Sequence, residues 1–372
     1  MKIEIKKNIY SVGVTDSEVR IFHGYQTPVG TTYNAFLVVD DQITLIDTVK
    51  AKFSQQLLAN IKEIIGDKKV DNLICNHVEP DHSGAVPDIV GAYPDIKIFG
   101  TANCFKEIAI IYPNTNFANF AVVKALDTLS IGANTFVFYP MPMVHWPDSM
   151  ATYLQTEKIL FSNDAFGQHI GTGVKFDTEM TQDQLYERAS DYYANIVLPF
   201  GNQVKKIISQ VGALPIECIC PSHGVILTKY ISQIVGWYLD WADNKVDEAK
   251  GVIVFDTMWG TTEKMAYVLQ KEYLEKGIDM EVISLSHFHY SHAMTRLLTA
   301  KYIFVGSPTL NNNMLPSVSA FLTYLKGLKP KNRVGLAFGS YGWSGESPMQ
   351  INDILASCGF EMLPPYKSIW NI

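Results

Sequence analysis

The sequence predicts an α/β protein in two parts, a mixed α/β sandwich followed by a doubly wound parallel sheet. Short apolar and β-branched runs recur irregularly between turn signals up to about residue 245. After the polar stretch WADNKVDEAKG, strand patterns alternate regularly with helical patterns, which is typical of a parallel sheet with helices on both faces. We therefore expect two domains, residues 1–248 and 249–372.

The individual elements follow from apolar periodicity and turn signals. In the first part, strands are predicted at FLVVDDQITLIDT, VDNLICN, DIKIFGT, TFVFYPM, KILFSND and IECICPSHG. Helices are predicted there at FSQQLLANIKEII and at TQDQLYERASDYYANIVL, the latter ending before Pro199. In the second part, strands are predicted at GVIVFDT, MEVISLS, KYIFVGSPT, RVGLAFGS and MLPPYKSIW.

Composition and charge exclude several classes of protein. Net charge is −7, and the 30 Lys and Arg residues are spread along the chain, so no nucleic-acid or membrane partner is expected. No apolar run approaches the length of a membrane span, and the N-terminus does not resemble a signal peptide. The five cysteines form no CxxC pair, which argues against a disulfide framework and a cysteine-rich metal site. We expect a cytoplasmic protein.

The stretch NHVEPDHSG places four potential metal ligands directly after a predicted buried strand. The carboxyl ends of strands are the usual location of chemistry in α/β folds. Three further strands of the first part also end in a potential ligand. The candidate ligands are His77, Glu79, Asp81, His82, His145, Asp164 and His223.

The number and type of these ligands restrict the metal. Seven groups exceed the four ligands of a tetrahedral zinc site, and a carboxylate among them is able to bridge two ions. Imidazole and carboxylate ligands without thiolate suit non-haem iron or manganese, and zinc remains open.

These motifs resemble the metallo-β-lactamase-like domain of the flavodiiron proteins. Hydrolases of that fold usually carry His-x-His-x-Asp-His, whereas this sequence has Glu79 in place of the second histidine. An anionic oxygen ligand favours iron over hydrolytic zinc. The resemblance implies that His77, Glu79 and His145 hold one iron, that Asp81, His82 and His223 hold the other, and that Asp164 bridges them.

Other polar residues have two possible interpretations. His23, His169 and the pair Tyr192 and Tyr193 either pack in the core and support the ligands, or line the substrate pocket. The resemblance implies the second role for His23 and Tyr193, which would donate hydrogen bonds to metal-bound species.

The motif SHFHYSH resembles a metal site but lacks a carboxylate or cysteine to complete one. Its histidines are His287, His289 and His292. We expect this motif to form a solvated loop or the start of a helix.

Three loops of the second part lie at the carboxyl ends of its first, third and fourth strands. The first, in FDTMWGTTEKMA, offers backbone N–H groups and hydroxyls at a helix N-terminus, which suits a monophosphate. Together the loops resemble those with which flavodoxin binds FMN. The implied contacts are Thr257, Met258, Trp259, Gly260, Thr261, Thr262, Ser307, Pro308, Thr309, Leu310, Asn311, Asn312, Ser340, Tyr341, Gly342, Trp343, Ser344 and Gly345.

The order of the two motif sets is similar to flavodiiron proteins over nearly the whole chain. The resemblance implies reduction of O2 to water, of nitric oxide to nitrous oxide, or of both. It further implies two iron ions, FMN as electron relay, and rubredoxin or another small donor. Such proteins form head-to-tail homodimers, or tetramers built from them, and we expect the same here.

Two alternatives remain at this point. One is a dizinc hydrolase of the metallo-β-lactamase fold with a regulatory flavin domain, and the other is an electron carrier or sensor with a vestigial metal site. The sequence also stops at YKSIWNI, where a flavodoxin-like sheet normally continues into a last helix. We expect either a chain cut at this point or continuation into rubredoxin or reductase modules.

Overall fold

The computed structural model describes residues 3–370, which divide into two compact units. The first unit comprises the chain up to Arg20, Thr27–Ala189 and Asn202–Gly236. The second comprises Ile21–Gln26, Ser190–Gly201 and the chain from Trp237 onward. Two short segments of the N-terminal half therefore pack with the second unit.

Regular structure covers most of both units. The strands are β1 (Ile3–Lys6), β2 (Ile9–Ser11), β3 (Val14–Asp16), β4 (Ile21–Phe22), β5 (Tyr25–Gln26), β6 (Thr31–Tyr33), β7 (Phe36–Val39), β8 (Ile43–Ile46), β9 (Asn72–Ile74), β10 (Lys97–Gly100), β11 (Phe120–Val122), β12 (Thr128–Ser130), β13 (Thr135–Pro140), β14 (Met150–Leu154), β15 (Ile159–Asn163), β16 (Cys218–Pro221), β17 (Asp247–Phe255), β18 (Asp279–Ser284), β19 (Ala300–Gly306), β20 (Val334–Tyr341), β21 (Glu361–Met362) and β22 (Tyr366–Ile369). The α-helices are α1 (Ser54–Ile65), α2 (Pro80–Ser83), α3 (Val86–Ala92), α4 (Ala102–Ile111), α5 (Gln182–Tyr192), α6 (Gly201–Val211), α7 (Ile231–Ala242), α8 (Thr261–Glu275), α9 (Tyr290–Leu297), α10 (Pro316–Leu328) and α11 (Ser347–Ser357). Short 3₁₀-helices lie at Ala51–Phe53, Asp177–Glu179 and Leu198–Phe200, and a π-helix at Tyr193–Val197.

Two sheets form the core of the first unit. One has the strand order β1-β2-β7-β8-β9-β10-β11, and the other has the order β12-β13-β14-β15-β16. Their apolar faces share one buried cluster, in which the ring of Phe161 lies 5.2 Å from that of Phe36 and 6.4 Å from that of Phe136. Two facing sheets confirm the predicted sandwich.

The ends of the strands position the candidate ligands. All residues of β9, β15 and β16 are buried, so the polar side chains that follow these strands project from the interior of the fold. His77 follows β9, Asp164 follows β15, and His223 follows β16. His145 lies in the loop between β13 and β14.

The second unit contains a parallel sheet of the order β18-β17-β19-β20-β21, with β22 also paired to β20. The connection reverses direction between β17 and β19, which is the switch point at which doubly wound sheets bind ligands. This topology confirms the flavodoxin-like prediction. The last described strand, β22, ends at Ile369, and residues 371 and 372 lie outside the described part of the chain. The expected lack of a last helix stays a prediction.

Two predicted elements differ in detail. MLPPYKSIW forms two strands, because Pro364 and Pro365 lie between β21 and β22 and proline cannot donate a ladder hydrogen bond. The helix predicted to end before Pro199 loses α-helical geometry already at Tyr193, where the π-helix begins. It then continues through a 3₁₀ turn that contains Pro199 and leads directly into α6.

Candidate metal centre and flavin site

The segment that leads into the ligands is fixed by buried hydrogen bonds. The carboxylate of Asp47 accepts hydrogen bonds from the backbone and side-chain amides of Asn76, at 2.7 and 3.0 Å. Thr152 donates to the side-chain oxygen of Asn76 at 2.7 Å. Burial raises the pKa of Asp47 to about 6. These bonds hold the residue immediately before His77 in one position.

The first ligand group consists of His77, Glu79, His145 and Asp164. One side-chain atom of each lies within 4.8 Å of the others. The Nε2 atoms of His77 and His145 are both 3.4 Å from Oε2 of Glu79. Oδ2 of Asp164 lies 3.2 Å from Nε2 of His145 and 3.7 Å from Nε2 of His77.

The second group consists of Asp81, His82 and His223. Oδ2 of Asp81 lies 3.3 Å from Nε2 of His82 and 3.2 Å from Nε2 of His223. The other oxygen of Asp164, Oδ1, lies 3.2 and 3.5 Å from the same two nitrogens. Asp164 therefore presents one carboxylate oxygen to each group. The structure brings together the predicted ligands, including His82.

These distances fit metal ions. Nitrogen and oxygen ligands at about 2.0–2.2 Å from one ion lie roughly 3 to 3.5 Å from one another. Several of the atoms are buried without a hydrogen bond to any residue in 3–370, which is costly unless a cation binds them. These atoms include Nε2 of His77, Nε2 of His82, and both carboxylate oxygens of Asp81 and of Asp164.

The charges of the cluster are complementary. Burial opposes a charge on His77, but the hydrogen bond with Asp148 and the nearby carboxylate of Glu79 raise its pKa well above the usual value. Burial also lowers the pKa of His82, but the negative charges of Asp81 and Asp164 have a larger effect and raise this pKa to about 9. The carboxylates therefore favour positive charge at the imidazoles, and a metal cation supplies such charge when it displaces the protons.

Asp148 is a supporting residue that sequence reasoning missed. Its carboxylate accepts a hydrogen bond from Nδ1 of His77 at 3.0 Å and another from the backbone of Val78 at 2.8 Å. This contact leaves Nε2 of His77 as the atom that faces Glu79. The backbone oxygen of Thr32 has the same function for His223, whose Nδ1 lies 2.6 Å from it. Such partners orient metal-binding imidazoles.

The other polar residues named from the sequence lie in both units. In the first unit, Nδ1 of His169 is 2.6 Å from the hydroxyl of Thr31, and its ring centroid is 4.9 Å from that of His223. His169 thus contacts a candidate ligand.

In the second unit, His23 is exposed at the turn between β4 and β5. Tyr193 is fully buried in the π-helix, and its ring packs against Tyr238 at 4.9 Å and Trp241 at 5.1 Å. Tyr192 is also buried.

The SHFHYSH motif has no metal-site geometry. His289 is the N-cap of α9, where its Nδ1 accepts a hydrogen bond from the backbone of Ser291 at 3.3 Å. His292 lies inside the helix and stacks on Phe288 at 4.9 Å. The predicted helix start is confirmed.

The three predicted flavin loops follow β17, β19 and β20. α8 begins at Thr261, directly after the left-handed Gly260 (φ 81°). The hydroxyls of Thr262 and Ser340 are 2.9 Å apart, which joins the first loop to the third. A Cβ on Gly339 would lie 2.0 Å from the backbone oxygen of Ser307, so only glycine permits this approach of the loops.

These loops fit a planar cofactor that carries a phosphate. The start of α8 supplies N–H groups and the positive end of a helix dipole for an anion. Trp259 and Trp343, on the first and third loops, are 68% and 83% exposed, so their aromatic faces are available to a flat ring. In the part of the chain that the structure describes, no helix is long and apolar enough to cross a membrane.

Comparisons with known proteins cover both units. Residues 31–224 match the sequence model of the ODP family beta lactamase, and residues 253–367 match that of flavodoxin. The chain is 41% identical to a nitric oxide reductase from Moorella thermoacetica, over 97% of this chain and 91% of that protein.

Two solved structures are similar over the whole chain. Rubredoxin oxygen:oxidoreductase from the anaerobe Desulfovibrio gigas is 40% identical, with a TM-score of 0.96 over 100% of this chain and 94% of that one. The flavodiiron protein from Giardia intestinalis is 31% identical, with a TM-score of 0.95 over 100% and 92%.

Proposed function

The chain belongs to the flavodiiron family, and we propose that it reduces O2 to water, nitric oxide to nitrous oxide, or both. Bound FMN would supply the electrons, and rubredoxin or a similar small protein would be their donor. The names of the relatives, nitric oxide reductase and rubredoxin oxygen:oxidoreductase, support both substrates and this donor. The observation that carries the proposal is the position of Asp164, whose two oxygens each face one ligand group.

The cofactors are two iron ions and FMN. His77, Glu79 and His145 would hold one ion, Asp81, His82 and His223 the other, and Asp164 would bridge them. The two irons would supply the site at which a diatomic gas is reduced, and the flavin would supply the electrons. The implied FMN contacts are the loop residues named above, with the phosphate at the start of α8.

The protein's own residues set the properties of the metal centre. Glu79 adds an anionic oxygen ligand where a neutral imidazole occurs in hydrolases, and this favours a ferric over a zinc ion. Asp148 holds Nδ1 of His77 and thereby directs Nε2 towards the ligand cluster. The buried environment keeps bulk water away from these side chains, which strengthens their electrostatic interactions.

Reduction of either gas consumes protons, and we propose that His23 and Tyr193 assist their delivery. The imidazole of His23 is exposed to solvent at the turn of the β4–β5 hairpin. Burial raises the pKa of Tyr193 above its usual value, so its phenol remains a hydrogen-bond donor. The two residues lie on separate segments, the β4–β5 hairpin and the π-helix.

The dizinc hydrolase is not favoured, because the similar proteins are named oxidoreductases. We propose residues 1–248 and 249–372 as the two sequence domains, since the two family matches lie on either side of residue 248. We also propose a head-to-tail homodimer, or a tetramer built from it, in the cytoplasm. The five free cysteines support a reducing compartment.

Metal analysis tests the proposed function. Protein produced with iron and zinc supplied and air excluded should contain about two irons and one FMN per chain. It should then consume O2 or nitric oxide when reduced rubredoxin is added. Reproducible zinc in place of iron, together with hydrolysis of ester or phosphodiester substrates, would contradict the proposal.

A further inference from the structure

We propose that the start of α9 is a clamp that positions His23 for gas reduction. This α9 clamp consists of Tyr290, Ser291 and Thr295, and it lies immediately after the first histidines of SHFHYSH. The inference rests on the proposed role of His23. The proposal gives a structural role to the SHFHYSH motif, whose residues belong to neither the metal centre nor the flavin loops.

The hairpin that carries His23 is too short to hold its own shape. Its strands, β4 and β5, contain two residues each. The turn between them consists of His23 (φ 49°) and Gly24 (φ 82°), and positive φ at both positions is the signature of a type I′ turn. An isolated two-stranded hairpin is marginally stable even when it is longer. The position of His23 therefore depends on what the hairpin contacts.

Two hydrogen bonds join α9 to the hairpin on the C-terminal side of His23. The hydroxyl of Tyr290 donates to the backbone oxygen of Gly24 at 2.7 Å. The backbone N–H of Gln26 donates to the hydroxyl of Ser291 at 3.2 Å. The first bond fixes the turn residue next to His23, and the second fixes the end of β5. Phe22 and Tyr25, which pair with each other on either side of the turn, are buried and anchor the hairpin next to His23.

His289 sets the direction of the hydrogen bond at Ser291. Its Nδ1 accepts from the backbone N–H of Ser291, which is able only to donate. Nδ1 is therefore an acceptor, and the Ser291 hydroxyl, 2.8 Å away, donates its single proton to it. The lone pairs of that hydroxyl remain for the N–H of Gln26. Ser291 is 2% exposed, so water does not compete for this bond.

The same helix also holds the π-helix that carries Tyr193. The side-chain amide of Asn195 lies 3.2 Å from the hydroxyl of Thr295 and 3.4 Å from the backbone oxygen of Ser291. The hydroxyl of Thr295 donates to Oδ1 of Asp191 at 2.7 Å. α9 therefore binds both segments whose residues we propose to assist protonation.

Tyr324 of α10 completes this arrangement. Its hydroxyl donates to Oδ1 of Asn195 at 2.9 Å, and its ring lies 4.8 Å from that of Tyr290. One connected set of contacts thus links the turn at Gly24 to the π-helix. A substitution at Tyr290 should therefore alter the local stability of both the turn and the π-helix. A substitution at an exposed residue of α10 should alter neither.

The variants Tyr290→Phe and Ser291→Ala test the clamp, because each removes one hydroxyl. The matched controls are Tyr267→Phe and Ser319→Ala, both exposed on other helices of the second unit. Hydrogen exchange of the holoenzyme should become about threefold to tenfold faster at His23–Gln26 in the clamp variants, as expected for one lost hydrogen bond. The controls should exchange like the unmodified protein.

Kinetics then separate positioning from general stability. The clamp variants should lower kcat for gas reduction about threefold or more, with unchanged KM and unchanged iron and FMN content. In a His23→Ala background, Tyr290→Phe should cause no further loss of kcat, because the clamp acts through His23. A residue with only a structural role would lower activity equally in both backgrounds.

Each outcome decides a separate question. Unchanged exchange at residues 23–26, or faster exchange throughout the second unit, would overturn the clamp itself. A full additional loss in the His23→Ala background would overturn its action through His23. If His23→Ala leaves kcat unchanged, the proposed role of His23 fails and the positioning proposal fails with it, whereas metal content and gas reduction still test the diiron function independently.

Discussion

The metal centre and the flavin loops are built in opposite ways. His77 and Asp164 are 0% and 1% exposed, whereas Trp259 and Trp343 of the flavin loops are 68% and 83% exposed. The metal centre depends on charged side chains that are oriented by buried partners, such as Asp148 for His77. The flavin loops instead offer backbone groups, hydroxyls and open aromatic faces. Single substitutions should therefore cost far more at the metal centre.

Asp164→Ala should have the largest effect, because it removes an oxygen from each ligand group at once. We expect iron content to fall well below two per chain and gas reduction to fall more than about 100-fold, beyond the effect of an outer residue. FMN content should stay unchanged. Metal and flavin analysis checks this, with exposed Asp183→Ala as the control. Full iron content in Asp164→Ala would contradict the bridging role.

Glu79→His should also abolish gas reduction, by about 100-fold, while leaving the flavin bound. The substitution restores the ligand pattern of the hydrolases and replaces an anionic oxygen with a neutral nitrogen, which weakens iron binding relative to zinc. Competition for binding between iron and zinc, followed by elemental analysis, measures this change. Glu275→His on the exposed end of α8 is the control. Retained turnover of O2 and nitric oxide would refute the role given to Glu79.

Asp148→Asn tests whether the carboxylate of Asp148 orients the ligand His77. Asparagine keeps the shape but replaces one acceptor oxygen with an amide, so Nδ1 of His77 loses its anionic partner. We expect iron affinity to fall about 10- to 100-fold, as is typical for outer-shell partners of metal-binding histidines. Chelator titration measures the affinity, with the exposed Asp88→Asn as control. Equal affinity in both variants would show that Asp148 does not orient His77.

The same contrast explains what the sequence was able to predict. Four of the ligands share one local motif, and Asp164 and His223 follow buried strands, whose carboxyl ends are the usual location of chemistry in α/β folds. Asp148 was missed because its partner His77 is 71 residues away and nothing in HWPDS reveals that contact. The flavin loops were predictable as loops, since strand and helix patterns place them, but the hydroxyl contact between Thr262 and Ser340 depends on tertiary packing.

The packing of the second unit was beyond sequence reasoning. The backbone N–H of Gln26 donates a hydrogen bond to Ser291, which is 265 residues away in the sequence. No periodicity in the sequence predicts that β4 and β5 pack with the C-terminal half. The sequence predicts an ordinary helix at Tyr193–Val197, where the structure has a π-helix, because apolar spacing does not distinguish the two forms. Both segments carry residues proposed to assist protonation, so the sequence identified the metal ligands but not the packing around His23 and Tyr193.

Thr262→Val should have the smallest effect and would sharpen the comparison. It keeps the shape of a buried side chain but removes the hydroxyl that joins the first flavin loop to Ser340. Because one hydrogen bond contributes about 0.5 to 1.5 kcal/mol, FMN affinity should weaken about threefold to tenfold. Fluorescence titration of the FMN-free protein measures it, with exposed Thr323→Val as control. Iron content should not change. A loss as large as that of Asp164→Ala would mean that the flavin loops depend on single side chains as strongly as the metal centre does.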